Sequence, residues 1–266
     1  MPTYNGPANR WMIASGYEII GATAGEVLKD ITPTELTATL EEVTGPADTR
    51  PNFRPTGFVT ASDISYVAWY TDAALASNWV RVMRTDVGTG TIASIANRPA
   101  LWGNDGEAMG AACYGAIFLT SKLAMATPNA GLTTAAITHK ITGGIDHGKL
   151  VCASGAQATG DTGDTKAAYY DNGAASTGGG AVYLEVTSLT LGGATDVIIK
   201  VEESVDFANW TDLVTFTAVT AAPAAQQVLL PVATWATLKR YVAVSWNFTG
   251  GGAGSGLSIS VGMARY

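Results

Sequence analysis

Apolar and polar residues alternate along most of this chain in short runs, and clusters of glycine and threonine break the pattern roughly every ten residues. That is the period of half-buried strands, so the fold is expected to be mainly β. Glu35 to Val43 places Leu36 and Leu40 on one strand face. The following stretch, Thr44 to Thr56, carries Gly45, Pro46, Arg50, Pro51, Arg54 and Pro55 and is expected to be an exposed loop, because proline interrupts both a sheet ladder and a helix. A long exposed loop without its own secondary structure suits contact with a partner. Asp72 to Met83 carries the one helical signature: Asp72 can cap it, and Leu75, Trp79, Val82 and Met83 form an apolar stripe of the kind that packs on a sheet. Tyr114 to Leu123 and Thr133 to Ile141 read as the arms of a hairpin turning at Pro128 to Gly131.

A run dominated by glycine, alanine, threonine and aspartate, Ala153 to Gly180, is too poor in apolar residues for a core and reads as a linker. Beyond it the strands become clean: Ala181 to Thr187, Val197 to Glu203, Asp212 to Thr217, Gln227 to Val232, Tyr241 to Phe248 and Leu257 to Arg265. Short strands spaced by turn residues predict an antiparallel sandwich. Val182, Leu184 and Val186 would face its core, and Tyr183 and Glu185 the solvent; Val242, Val244 and Trp246 repeat the phase. Asp206 and Asn209 supply a turn, with Trp210 over one end of the sandwich. The organisation expected is a first β domain with one flanking helix at 1–152, a linker at 153–180 and a C-terminal antiparallel β-sandwich at 181–266.

Composition adds one thing to this picture. Only 14% of the 266 residues are charged, against about 25% in ordinary domains. Small polar residues solvate a surface by themselves, but so little charge also suits a surface covered by copies of the same chain. The net charge of -7 divides between the halves, with 13 acidic and 10 basic residues through position 150 and 9 acidic and 5 basic after it. No basic stripe is present to neutralise phosphates, which argues against specific nucleic-acid binding. Met1 to Trp11 lacks the basic flank and apolar run of a signal peptide, and no apolar stretch nears the roughly 20 residues of a membrane helix. A soluble chain made in a cytoplasm, without membrane contact, is expected.

Catalytic chemistry finds no constellation. His139 and His147 match no metal spacing and read as structural or surface residues. Gly178 to Gly180 and Gly250 to Gly252 are not followed by the helix that phosphate cradling needs. Glu41–Glu42 and Glu202–Glu203 are neighbours on strands, so their carboxylates point to opposite faces and read as solvated charge. Cys113 and Cys152 lack CxxC spacing; buried free thiols are the favoured reading, with a disulfide between them left open. The expectation is no enzyme, no cofactor and no metal.

Thr138 to Val151 reads Thr-His-Lys-Ile-Thr-Gly-Gly-Ile-Asp-His-Gly-Lys-Leu-Val, and this resembles the end of the tube domain in the major tail proteins of long-tailed bacteriophages. Gly143, Gly144, Asp146 and Gly148 carry the phrase. The C-terminal order, from Val182 through Ser204 to Trp210 and Ala221 to Ala225, and the ending Arg240 to Val242 and Met263 to Arg265, is similar to the domain appended in that family. The resemblance implies six subunits closing into a ring, rings stacking into a tail tube through which DNA passes without specific binding, and other phage tail proteins as further partners. It also implies a place in the virion tail, with assembly in the host cytoplasm. The Gly45 to Pro55 loop would then make contacts between subunits. A different class of function, a capsid decoration protein or a carbohydrate-binding sandwich, would rest on Tyr183, Trp210, Trp235 and Trp246.

Overall fold

The computed structural model describes residues 11–14, 16–20, 28–32, 36–42, 53–61, 63–69, 97–103, 105–126, 134–157, 165–166, 168–230, 238–252 and 254–266. Among these residues the chain is built of antiparallel strands, with no helix. In the first half they are β1 (Trp11–Ala14), β2 (Tyr17–Ile20), β3 (Leu28–Thr32), β4 (Leu36–Glu42), β5 (Phe53–Ala61), β6 (Ile64–Trp69), β7 (Arg98–Gly103), β8 (Ala112–Ala126) and β9 (Thr134–Gln157). The second half holds β10 (Thr165–Lys166), β11 (Tyr170–Asp171), β12 (Gly180–Thr190), β13 (Asp196–Ser204), β14 (Thr211–Thr215), β15 (Ala224–Leu230), β16 (Tyr241–Thr249) and β17 (Gly256–Arg265). The segment expected to be helical, Asp72 to Met83, lies outside the described residues.

Alternation becomes pairing as expected in the β8–β9 hairpin, whose arms pair from Ala126 opposite Thr134 back to Ala112 opposite Lys149, with register shifts between Thr120 and Lys122 and between Gly115 and Ile117. All six strands expected after residue 180 are present as β12 to β17. They form two layers: β15-β12-β17-β9 in one, and β14-β13-β16, with β10 and β11 along the outer side of β16, in the other. Val182, Leu184 and Val186 of β12 and Ile259, Val261 and Met263 of β17 meet Val197, Ile199 and Val201 of β13 and Val242, Val244 and Trp246 of β16. These side chains exclude water between the layers, each contributing about 1.5–3 kcal/mol by burial. Val151 and Cys152 of β9 belong to the same core, so a strand that begins in the first half completes the C-terminal sandwich. Residues 153–180, which read as a linker, hold the end of β9 and both short strands paired to β16.

The long sheet continues from β9 through β8, β7, β1 and β2 and curls until β7 and β2 touch β12. A second core fills the curl, made of Trp11, Ile13, Leu101, Cys113, Leu150, Ala181 and Tyr183. This corrects the expectation of a solvated outer face on β12: Tyr183 is 2% and Glu185 0% exposed. Alternation showed which residues share a face, but the first half of the chain covers the face that looked polar. Glu202 is also buried, and Glu203 accepts a hydrogen bond from the Lys239 backbone N–H at 2.9 Å, so this pair is packed where solvated charge was expected.

Strand β5 begins at Phe53, which puts Arg54 opposite Glu41 and Pro55 opposite Leu40 where a loop was expected. Pro55 fits there because β4 and β5 form a two-stranded sheet, and the register shifts between Ala38 and Leu40. A proline without an N–H is tolerated at such an irregular position.

Both cysteines are free and buried, and burial pushes each thiol up to about 12. Native protein is therefore expected to resist an aromatic disulfide reagent at about pH 8, where an exposed thiol reacts readily. Both thiols should titrate once guanidinium unfolds the chain; rapid reaction of either in the native state would contradict the two cores.

Candidate functional site: the strand exchange at Gly143 to Gly148

Strand β9 changes partner along its length. From Thr134 to His139 it pairs with β6, and from Gly148 to Gln157 with β17, while β8 lies on its other side from Thr134 to Lys149. The change falls on the motif singled out from sequence. Thr142 faces Ile117 and Asp146 faces Gly115, so Ala116 alone stands opposite Gly143, Gly144 and Ile145, which defines a bulge. Gly143 and Gly144 have φ of 86° and 120°, and a Cβ on either would meet nothing within 4 Å. Glycine is needed at these two positions for the backbone angle rather than for space. Gly148 serves the opposite purpose: a Cβ there would lie 2.3 Å from the Met263 carbonyl oxygen, so its small size lets β17 close onto β9.

Asp146 sits between these glycines and ties the junction together. Its carboxylate accepts hydrogen bonds from the hydroxyls of Tyr183 on β12 and of Tyr266, while Gln227 Nε2 on β15 donates to the Tyr183 oxygen at 2.7 Å. Tyr183 reaches Asp146 because residue 115 is glycine: a Cβ there would lie 2.3 Å from the Tyr183 ring. Burial, and then the Asp146 carboxylate, hold both phenols above their ordinary range, so they remain protonated donors. The arrangement is a clamp between β9, β12, β15 and the chain end. It presents no nucleophile with an adjacent base.

A fully buried acid lies on β12, two residues beyond Tyr183. Glu185 Oε2 accepts the Gly16 N–H at 2.6 Å, its other oxygen has no hydrogen-bond partner, and burial raises its pKa well above the ordinary range. Protonated, it fastens the turn between β1 and β2 to the C-terminal half without burying a charge.

Of the histidines read as structural or surface residues, His139 is a buried packing group and His147 is exposed. His139 is fully buried, stacks on Phe118 at 5.1 Å between ring centroids, and lies 3.2 Å from the Thr120 hydroxyl. Burial, with Arg98 nearby, pushes it down to about 3. His147 meets the Tyr114 ring edge-on at 4.8 Å. Among the described residues no group of three or more His, Cys, Asp or Glu side chains could hold a metal ion. Of the other site residues expected from sequence, Arg54 and Pro55 lie on β5, while Gly45, Pro46, Arg50 and Pro51 fall outside the described residues. Gln227, Tyr266 and Glu185 were missed as site residues, and Tyr183 was weighed only as a sugar-binding aromatic. Tyr183, Glu185 and Gln227 look like ordinary strand positions and Tyr266 follows β17, and only the packing of distant segments gives each a role.

These features define an antiparallel β protein whose long sheet is shared between a C-terminal sandwich and a curled first half. No protein-family model matches the chain, and no curated protein matches it in sequence. Two solved structures align over nearly its whole length. One is the Dit (gp 19.1) protein of SPP1, a paradigm of the hub adsorption apparatus in phages infecting Gram-positive hosts, at 10% identity and TM-score 0.34, covering 97% of this chain and 99% of that one. The other is a chain of the phage p2 baseplate in its activated conformation with Sr, at 10% identity and TM-score 0.37, covering 97% and 98%. At these TM-scores the likeness carries no argument about this chain.

Gly144→Ala is expected to lower stability by about 1–3 kcal/mol through backbone strain alone, and Gly148→Ala by more, because β17 must move away. Tyr183→Phe should cost about 1–3 kcal/mol by leaving Asp146 and Gln227 short of a partner. Denaturant midpoints of the three variants measure these losses.

Glu185 sets a pH dependence. Its folded pKa is raised, so its contribution is complete below the ordinary glutamate range and is lost as pH climbs toward the raised value, since the unfolded chain ionises first. Glu185→Gln is expected to flatten this part of the stability curve; an unchanged slope above about pH 5, past the ordinary glutamate pKa, would exclude a buried neutral acid.

Proposed function

We propose that this chain is a structural, non-enzymatic protein of a bacteriophage tail that assembles with copies of itself into six-membered rings, which stack into the tube through which DNA passes. In this reading residues 1–152 form the tube module, 153–180 the connection, and 181–266 the appended sandwich. The observation that carries it is the phrase from Thr138 to Val151. Its residues resemble the end of the tube domain in major tail proteins, and in this chain they lie where β9 leaves β6 and enters the C-terminal layer. The same sequence order, strand then Gly-Gly then Asp then sandwich, thus coincides with a mechanical junction.

Two further features support the reading. The low charge content suits a surface largely covered by neighbouring subunits. The acidic balance suits a wall past which DNA slides without being gripped. Contacts between subunits would come from strand edges and from the segment Gly45 to Pro55, in which Arg50 and Arg54 supply donors and Pro46, Pro51 and Pro55 limit the entropy lost on ordering. Of the four aromatics on which a carbohydrate-binding sandwich would rest, Tyr183 and Trp246 are disfavoured because both rings are buried, Trp210 is half-buried, and Trp235 lies outside the described residues.

Electron microscopy of the purified chain at high concentration is expected to show rings or hollow tubes. Replacing Arg50 and Arg54 with serine should shift the population toward folded monomers. A monodisperse monomer at every concentration, with no assembly beside other tail proteins, would refute the proposal.

A further inference from the structure

Six large apolar side chains are exposed among the described residues: Met125, Tyr169, Val205, Phe207, Leu229 and Tyr266. Single exposed apolar residues are ordinary, but two of these rings touch and Val205 lies on the same turn as one of them, which makes a patch. Phe207 stacks on Tyr241 at 3.7 Å between centroids with 30° between planes, and Tyr169 meets Phe207 at 4.5 Å and 69°. Tyr241 is the buried base at 8% exposure, while Tyr169 and Phe207 remain 48% and 41% exposed. The two outer rings therefore make an open corner at one edge of the sandwich.

The corner is held at a cost. Phe207 is the one non-glycine residue with positive φ, at 64°, among the described residues, and a bulky residue in that region is strained by about 1–3 kcal/mol. Asp206 fixes it there. Its carboxylate accepts from the Ala208 N–H at 3.0 Å, the Asn209 N–H at 2.9 Å, Asn209 Nδ2 at 2.9 Å and the Ser204 hydroxyl at 3.1 Å. These bonds bring Asp206 down to about 2, so the turn keeps its charge-assisted bonds at any ordinary pH. Trp210 Nε1 adds a bond to the Phe207 carbonyl at 2.9 Å. An aromatic ring is thus presented to water by a rigid turn, the reverse of what folding alone favours.

The surroundings limit what can occupy it. Arg240 grips Asp171 with two bonds, at 2.8 and 2.7 Å, and Lys239 pairs with Glu203 at 3.6 Å. With Arg240 and Lys239 each matched by a carboxylate, neither is a free cation at the corner to hold a phosphate or another anion. A patch of three side chains also falls far short of the roughly 800 Å² per partner of a stable protein interface. A pyranose fits these limits: its C–H face is apolar and about one ring wide, it carries no charge, and its hydroxyls radiate toward a polar rim. We propose that the corner of Tyr169 and Phe207 binds the apolar face of a neutral hexopyranose unit, with the Asp171–Arg240 pair as its polar rim. This goes beyond a role in assembly and does not depend on it.

Saturation-transfer NMR on the full chain tests it with neutral trisaccharides of glucose, galactose and mannose, and with a trigalacturonate as the acidic comparison. Transfer is expected to the ring C–H protons of at least one neutral sugar. Tyr169→Ala and Phe207→Asn should each weaken binding about tenfold, the upper range for losing one aromatic contact, while Leu229→Ala, on β15, leaves it unchanged. Asparagine tolerates the left-handed backbone, so Phe207→Asn removes the ring and keeps the turn, and an unaltered melting curve verifies this for both variants. Transfer to no neutral sugar, transfer to the trigalacturonate alone, or binding indifferent to both ring substitutions would each overturn the proposal. So would loss of self-association in the two ring variants with sugar binding intact, since the patch would then serve a second copy of the chain.

Discussion

A β-strand must satisfy its backbone N–H and C=O groups along both edges, and β9, at 24 residues, does so by using different neighbours in succession. With β8 on one side from Thr134 to Lys149, its other side passes from β6 to β17, which alone follows it to Gln157. Both halves of the molecule are fastened to this one strand. The two-residue surplus at Gly143 to Ile145 bends it between the two pairings, and the bare Gly148 lets the second partner approach. With side chains at these three glycines, the ladder would continue straight or β17 would be held off. The sandwich would then lose the strand that contributes Val151 and Cys152 to its core.

From that constraint follows the unusual burial of β12. Because β9 draws the first half of the sheet alongside the sandwich, the sheet curls and the far side of β12 becomes a second interior. Polar groups on that side had to find partners there. Tyr183 found Asp146 and Gln227, and Glu185 found the Gly16 amide. A buried carboxylate would cost several kcal/mol, so Glu185 is tolerated as the neutral acid. Among the described residues, the side-chain bonds of Tyr183 to Asp146 and of Glu185 to Gly16 join the halves, and they fix how the curl closes more than how strongly it holds.

The surface carries a different message from the interior. Near the exposed aromatic corner the Arg240–Asp171 pair is matched and solvent-exposed, worth little in stability, so its arrangement is better understood as shaping a neutral, polar border. A chain that covers itself with neighbours in an assembly would keep only its outward sandwich face in contact with the surroundings. The apolar corner lies on the sandwich, and the proposed contacts between subunits come from the first half of the chain, so the two proposals draw on different residues.

Much of the fold was legible in the sequence because strand alternation and turn residues are local properties. The six strands after residue 180, the β8–β9 hairpin, the turn at Asp206 and Asn209, and the glycines of the motif could all be marked from neighbours alone. Burial of β12 on both faces could not, because Tyr-Leu-Glu-Val has the same period whether its second face meets water or another layer. The loop expected around Arg54 and Pro55 gave way to a strand because proline's exclusion from a ladder is relaxed at an irregular, two-stranded pairing. Of the aromatic residues first weighed for sugar binding, Tyr183, Trp210, Trp235 and Trp246, the first and last lie in the two cores, while Tyr169 and Phe207, 38 positions apart in the chain, come together at the surface. By itself the sequence determined which residues alternate, where the chain turns and which glycines free the backbone. Tertiary structure alone decided which faces meet, since that depends on segments more than a hundred positions apart being held by one shared strand.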